Sequence, residues 1–206
     1  LAAITLFASC SSDDDQQPIS GTGKIGIEFD NAFKTSDLIL STQANTTSLD
    51  EVLKISAVKY IVSNIVLTRE DGTTFTYPKS ESYFIVDEST AASHVLDLSN
   101  IPAGNYTKIK FGIGVDQEQF NLGATGQGNF LTTAQDAGMM WSWSAGYKFV
   151  AFEGTFTSST VATDTNFKLH TGQTGTDYNY ATISMNFPDN ALVRTNITPQ
   201  VHIMAD

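Results

Sequence analysis

Basic side chains are scarce in this chain: 11 Lys and Arg stand against 22 Asp and Glu, a formal net charge of −11 over 206 residues. Charge of that sign repels phosphate backbones and anionic headgroups, which argues against nucleic acid as a partner and against electrostatic docking on a membrane. Cysteine is scarcer still. The one thiol, Cys10, cannot close an internal disulfide, so packing or a metal must hold the fold. The short motifs of common enzymes are also missing: there is no Gly-x-Ser-x-Gly elbow, no phosphate-binding loop and no His-Glu-x-x-His pair. Gly112-Ile113-Gly114 is a lone Gly-x-Gly on an extended stretch with no helix after it, so the dinucleotide reading lacks its context. The chain therefore reads as a protein that is not an enzyme. Histidine numbers only 3, and any metal site must supplement imidazole with Asp, Glu or Met. Thioether and imidazole together favour copper over harder ions.

Apolar runs are short. The longest opening stretch, "LAAITLFASC", ends in the small residues Ala8, Ser9 and Cys10. That is the end of a secretory signal rather than a membrane span, which needs about 20 residues. With no initial Met and no basic leader before it, residues 1–10 read as the truncated end of a lipoprotein signal, with Cys10 as the lipidated residue. Residues 11–23, beginning "SSDDDQQP", read as a flexible acidic tether. Acidic residues just after such a cysteine resemble the surface-export signal of Bacteroidetes lipoproteins, implying a protein of the outer membrane or cell surface, facing the periplasm or the exterior. The membrane is then reached through the lipid anchor alone.

Residues 24–206 read as a single all-β domain. In "KIGIEFD", Ile25, Ile27 and Phe29 alternate with small or polar residues, the pattern of a half-buried strand. "VKYIVSNIVLTREDGTTFTYP" reads as two strands joined at Asp71-Gly72. "SYFIVD", "HVLDLS", "NYTKIKFGIGVD", "YKFVAFEGTF", "NFKLHTG", "NYATISMNF" and "QVHIMAD" follow at intervals set by turn residues. Such regularity predicts an antiparallel β-sandwich, immunoglobulin-like or Greek-key, with long loops and no helix. Residues 117–140 form a 24-residue insertion rich in Gly, Gln and Thr that leads straight into "GMMWSWSAGYKF". Loops of that length in a compact domain are usually functional or disordered. The final strand-like stretch stops at Asp206, which reads as an end with a further piece to follow.

Alternation predicts that Trp141 and Trp143 share one face, either as core or as a stacking platform with Tyr147. On "FKLHTG" it pairs Lys168 with His170, opposite Phe167 and Leu169; on "VHIMAD" it pairs His202 with Met204. Each imidazole is read either as a structural group or as a metal ligand, and His94 reads as a surface residue.

"VKYIVSNIVL", "YFIVD", "IPAGNYTKIKFGIGVD", "GMMWSWSAGYKFVAFEG" and "FKLHTG", in that order, resemble the blocks of the MbnP-like family, copper-binding proteins linked to methanobactin gene cassettes and to the surface copper protein of methanotrophs. The resemblance runs from about Ile25 to Asp206. It implies an all-β sandwich that binds copper in metal homeostasis. It also implies a tryptophan oxidised to kynurenine by a dihaem enzyme of the MauG type, whose kynurenine nitrogen joins histidines at the metal. Trp141 matches the modified tryptophan, and His170 a histidine of the family's His-x-Gly block. Trp143 stands where the methanotroph surface protein carries histidine, and Asn31 where the family's early motif has one. The expected site is metal at His170, His202 and Met204, with help from Met139 or Met140, lined by Trp141, Trp143, Tyr147 and Asp116. The alternative is a surface module that binds glycan or protein through the aromatic platform.

Overall fold

A computed structural model describes residues 19–206; Cys10, the signal-like run and the tether as far as residue 18 lie outside the described residues. The described strands are β1 (Thr22–Phe33), β2 (Ser36–Asp37), β3 (Asn45–Thr46), β4 (Val52–Arg69), β5 (Thr74–Thr76), β6 (Tyr83–Asp87), β7 (Val95–Pro102), β8 (Gly104–Ile113), β9 (Met140–Ser142), β10 (Gly146–Thr157), β11 (Thr165–Thr174), β12 (Asp177–Tyr178), β13 (Ala181–Val193) and β14 (Gln200–Ala205). They form two sheets. As the alternation predicts, the architecture is all-β and sandwich-like, with strands that are overwhelmingly antiparallel.

The first sheet is built on β1, flanked by β7 and β14, with β2 folding back on its end. The β1–β14 pair is parallel. The antiparallel prediction misses this pair because β14 follows β13, a strand of the other sheet, and so enters by a crossing between layers rather than by a hairpin. The second sheet is organised by the 18 residues of β4. This strand is long enough to serve two partners in succession: β10 pairs with Val52–Tyr60, and β8 pairs with Val62–Arg69. The short strands β6 and β5 take its other edge. β11 extends the sheet beyond β10, and β13 extends it beyond β8.

Between the sheets lies the main core. Ile25, Ile27 and Phe29 of β1 and Leu96 and Leu98 of β7 meet Val62 and Leu67 of β4 and Ile109 and Phe111 of β8. Each such side chain contributes roughly 1.5–3 kcal/mol on burial. The Phe29 and Phe111 rings meet edge to face at 5.4 Å. On the opposite, outer face of the second sheet a smaller cluster gathers Ile61, Val115, Ala134, Met139, Tyr147, Phe149 and Ala151. It sits where β8 and β10 part from β4, and the insertion covers it.

That insertion is helical, which corrects the expectation of no helix. It carries α1 (Gln117–Phe120), α2 (Gly123–Gly126) and α3 (Asn129–Asp136). Asn, Thr and Gly give it poor intrinsic propensity, but Phe130, Leu131, Ala134 and Ala137 fall on one stripe and pack on the outer cluster. Burial of that stripe, rather than propensity, stabilises the turns. The Gly-x-Gly at the end of β8 serves the same packing: the Tyr180 ring lies against Gly112, and the Phe149 ring against Gly114 just beyond the strand.

Candidate metal centre

β9 and the start of β10 form a tight hairpin in which Ser142 pairs with Gly146 and Met140 with Tyr147. Extended backbone stops at Ser142, and Gly146 turns the chain at φ +82°. The common face expected for the two indoles is lost there. Trp141 leans outward over β11, 42% exposed. Trp143 is half-buried against Phe120 of α1, ring centroids 4.8 Å apart. Tyr147 points into the outer cluster, 1% exposed, where burial pushes its phenol up to about 12. The three rings therefore form no platform, and the glycan or protein module built on one loses its footing.

Trp141 meets His170 instead. The two ring centroids lie 6.1 Å apart at 53°, within the range of aromatic contact. Gly172 makes this approach possible: a side chain there would come within 2.8 Å of the Trp141 ring. His170, on β11, pairs with Ala151 of β10, and Lys168 pairs with Glu153. Glu153 is thus the diagonal neighbour of His170, within reach of a long side chain. His170 Nε2 lies 2.7 Å from Glu153 Oε1, and Lys168 Nζ lies 3.3 Å from Oε2. The hydrogen bond to His170 holds the Glu153 carboxyl below its ordinary value, with burial opposing and Lys168 assisting. An ionised carboxylate only accepts, so Nε2 is the donor in this pair and Nδ1 takes no part in it. This is the orienting arrangement that carboxylates give to metal-binding imidazoles. Sequence reasoning missed Glu153, because only the β10–β11 register reveals it.

The rest of the expected donor set is dispersed. His202 and Met204 alternate with the buried Val201 and Ile203 on β14, so they face outward from the first sheet. His170 faces outward from the second sheet, on the side of Ala151 and Glu153. A single site of His170, His202 and Met204 is therefore not formed, because the whole sandwich stands between its members. Met139 is fully buried in the outer cluster, and Met140 packs at its margin.

Asp116 does not line the indoles either. Its Oδ2 accepts from Asn64 Nδ2 and Tyr83 Oη, each at 2.8 Å; Oδ1 accepts from Lys79 Nζ at 2.9 Å and from the Gln119 amide at 3.0 Å. Those four donors fill the carboxylate, which caps α1 and ties the insertion to the second sheet. His94 is half-buried rather than on the surface, its Nε2 3.2 Å from the Asp87 carbonyl oxygen and 3.6 Å from Glu88 Oε2. Asn31 is 5% exposed; it accepts from Tyr60 Oη at 3.0 Å and donates to Glu88 at 2.9 Å. No group of three or more His, Cys, Asp or Glu positioned to hold a metal occurs among the described residues.

A family model described as MbnP matches residues 22–206. Among solved structures, MbnP from Methylosinus trichosporium is similar at 15% sequence identity with a TM-score of 0.53, over 82% of this chain and 72% of that one. A likeness at that identity speaks for the fold. No curated protein sequence matches the chain.

Proposed function

The chain belongs to the MbnP family, described as copper-binding rather than catalytic, and on that premise we propose that it binds copper beside Trp141 through His170 Nδ1. The observation that carries the proposal is the imidazole poised between an exposed indole and an orienting carboxylate. The donors fit copper in kind but are few: one imidazole nitrogen, with Glu153 already engaged by Lys168.

Oxidation of Trp141 would supply the missing donor. Two peroxide molecules at a dihaem partner enzyme each give one oxygen atom and leave as water, breaking the indole C2–C3 bond to form N-formylkynurenine. Hydrolysis then releases formate and leaves kynurenine, whose aryl amine is a nitrogen donor. The exposure of Trp141, and the enclosure of Trp143 against Phe120, support Trp141 as the target. The protein is further proposed to be held at the outer membrane or cell surface by a lipid on Cys10, where it meets copper from outside.

Titration of copper(II) followed by electron paramagnetic resonance tests the site. His170→Ala is expected to weaken binding by about 100-fold, and Glu153→Gln, which releases the ring's tautomer, by about 10-fold. Unchanged affinity in His170→Ala would remove the site.

A further inference from the structure

We infer a second metal site, for monovalent copper, on the outer face of the first sheet, formed by His202, Met204 and Glu28. The parallel register of β1 and β14 sets Glu28 beside His202 and Asp30 beside Met204. Because Ile27 and Phe29 turn inward with Val201 and Ile203, those four polar or sulfur-bearing side chains share the outward face. His202 Nε2 lies 2.9 Å from Glu28 Oε2, and Gln200 Nε2 donates to the same oxygen at 2.7 Å. The imidazole and the carboxylate therefore stand side by side on this face, each within reach of one ion.

Met204 is the second observation. It is 62% exposed, whereas Met139 is fully buried and Met140 and Met185 are partly buried against the two cores. A thioether left in water gains nothing from burial, so packing gives no reason for it there. Next to an imidazole it makes a soft donor pair, which selects copper(I) over zinc, calcium or magnesium. Asp30 and Glu28 add negative potential that draws a cation to the face. His202 is itself 66% exposed, so the ion would be reached and released from solvent, as suits capture and hand-over rather than storage.

This site rests on β1 and β14 alone and does not depend on the reading of Trp141 and His170. The test is an anaerobic titration of the purified full chain with copper(I), and with silver(I) as its redox-inert stand-in, followed through the methyl resonances of carbon-13-labelled methionine. The Met204 methyl is expected to shift and saturate in the wild type and in His170→Ala alike. Met204→Leu keeps the size and the exposure, so folding is preserved. It should bind one equivalent less, and His202→Ala should weaken the Met204 response at least 10-fold. A Met204 methyl that silver(I) leaves unmoved, or full stoichiometry in Met204→Leu, overturns the inference. Loss of the Met204 response in His170→Ala also overturns it, since the two faces would then act as one site. A His170→Ala protein whose copper(II) affinity is unchanged refutes the Trp141 site and leaves this one standing.

Discussion

Replacing Asp116 by Asn should destabilise the protein at neutral pH and hardly at all in strong acid. Burial, the largest single influence on this carboxyl, would raise its pKa, yet the donors from Asn64, Lys79, Gln119 and Tyr83 together bring it from 3.8 down to about 2. At roughly 1.4 kcal/mol per unit, the ionised form gains at most about 2.5 kcal/mol on folding. Part of that comes from Lys79, whose side chain is 43% exposed against 15% for Asp116, and solvent screening reduces it to about 1.5–2 kcal/mol. The sign follows from the depressed folded value. The stabilisation is complete above the unfolded pKa near 3.9 and fades as pH falls through that value towards 2. Urea unfolding followed by tryptophan fluorescence, on wild type and Asp116→Asn at pH 7, 4 and 2.5, measures it. The gap between the two proteins should approach 2 kcal/mol at pH 7 and shrink markedly by pH 2.5. Asp87 and Glu153, also held below their ordinary values, make both proteins acid-labile and cancel in the difference. A gap that stays constant across this range would mean that the ionised carboxylate does not anchor the insertion, and the assignment would fall.

The unequal surroundings of the tryptophans give a further expectation. Trp143→Ala, which strips the ring from Phe120, should cost about 1–3 kcal/mol, whereas Trp141→Phe should change stability by under about 0.5 kcal/mol; equal costs in thermal unfolding would contradict the divergence of the two side chains. Native protein taken from the membrane fraction should carry acyl chains on Cys10 and a gain of about 4 Da on the peptide holding Trp141. Peptide mass spectrometry that finds a free thiol refutes the anchor, and two unmodified indoles refute the oxidation.

What was legible in the sequence is what depends on period alone. Alternation in β1 and β14 gives the faces correctly, because each strand has one apolar side turned to a core. The Trp-x-Trp face is wrong because the two-residue period requires extended backbone, and the chain turns between the indoles. The helices of the insertion escape notice because their apolar stripe is only four residues wide and sits among Asn, Thr and Gly. Glu153 and Glu28 escape for another reason. Each is brought to its histidine by strand register, across 17 residues in one case and from opposite ends of the domain in the other. Register depends on how the sheets close and leaves no local mark.

Each of the three imidazoles ends beside a glutamate: His94 with Glu88, His170 with Glu153, His202 with Glu28. A chain with twice as many acids as bases makes such pairs easily, so a carboxylate neighbour cannot by itself mark a metal site. His94 shows the difference. Its Nε2 is turned to a backbone carbonyl, and the ring is half-buried. At His170 the pair is completed by an exposed indole, and on the far sheet by an exposed thioether at Met204. Asn31, where the resemblance implied a histidine, is enclosed in a hydrogen-bonded pair with Tyr60 at the edge of the core. An interior amide satisfied in this way stabilises the sandwich and closes the inside to a cation. His170 and His202 lie instead on the two outer faces, and on the reading proposed above the protein's negative charge would draw copper to them from solution.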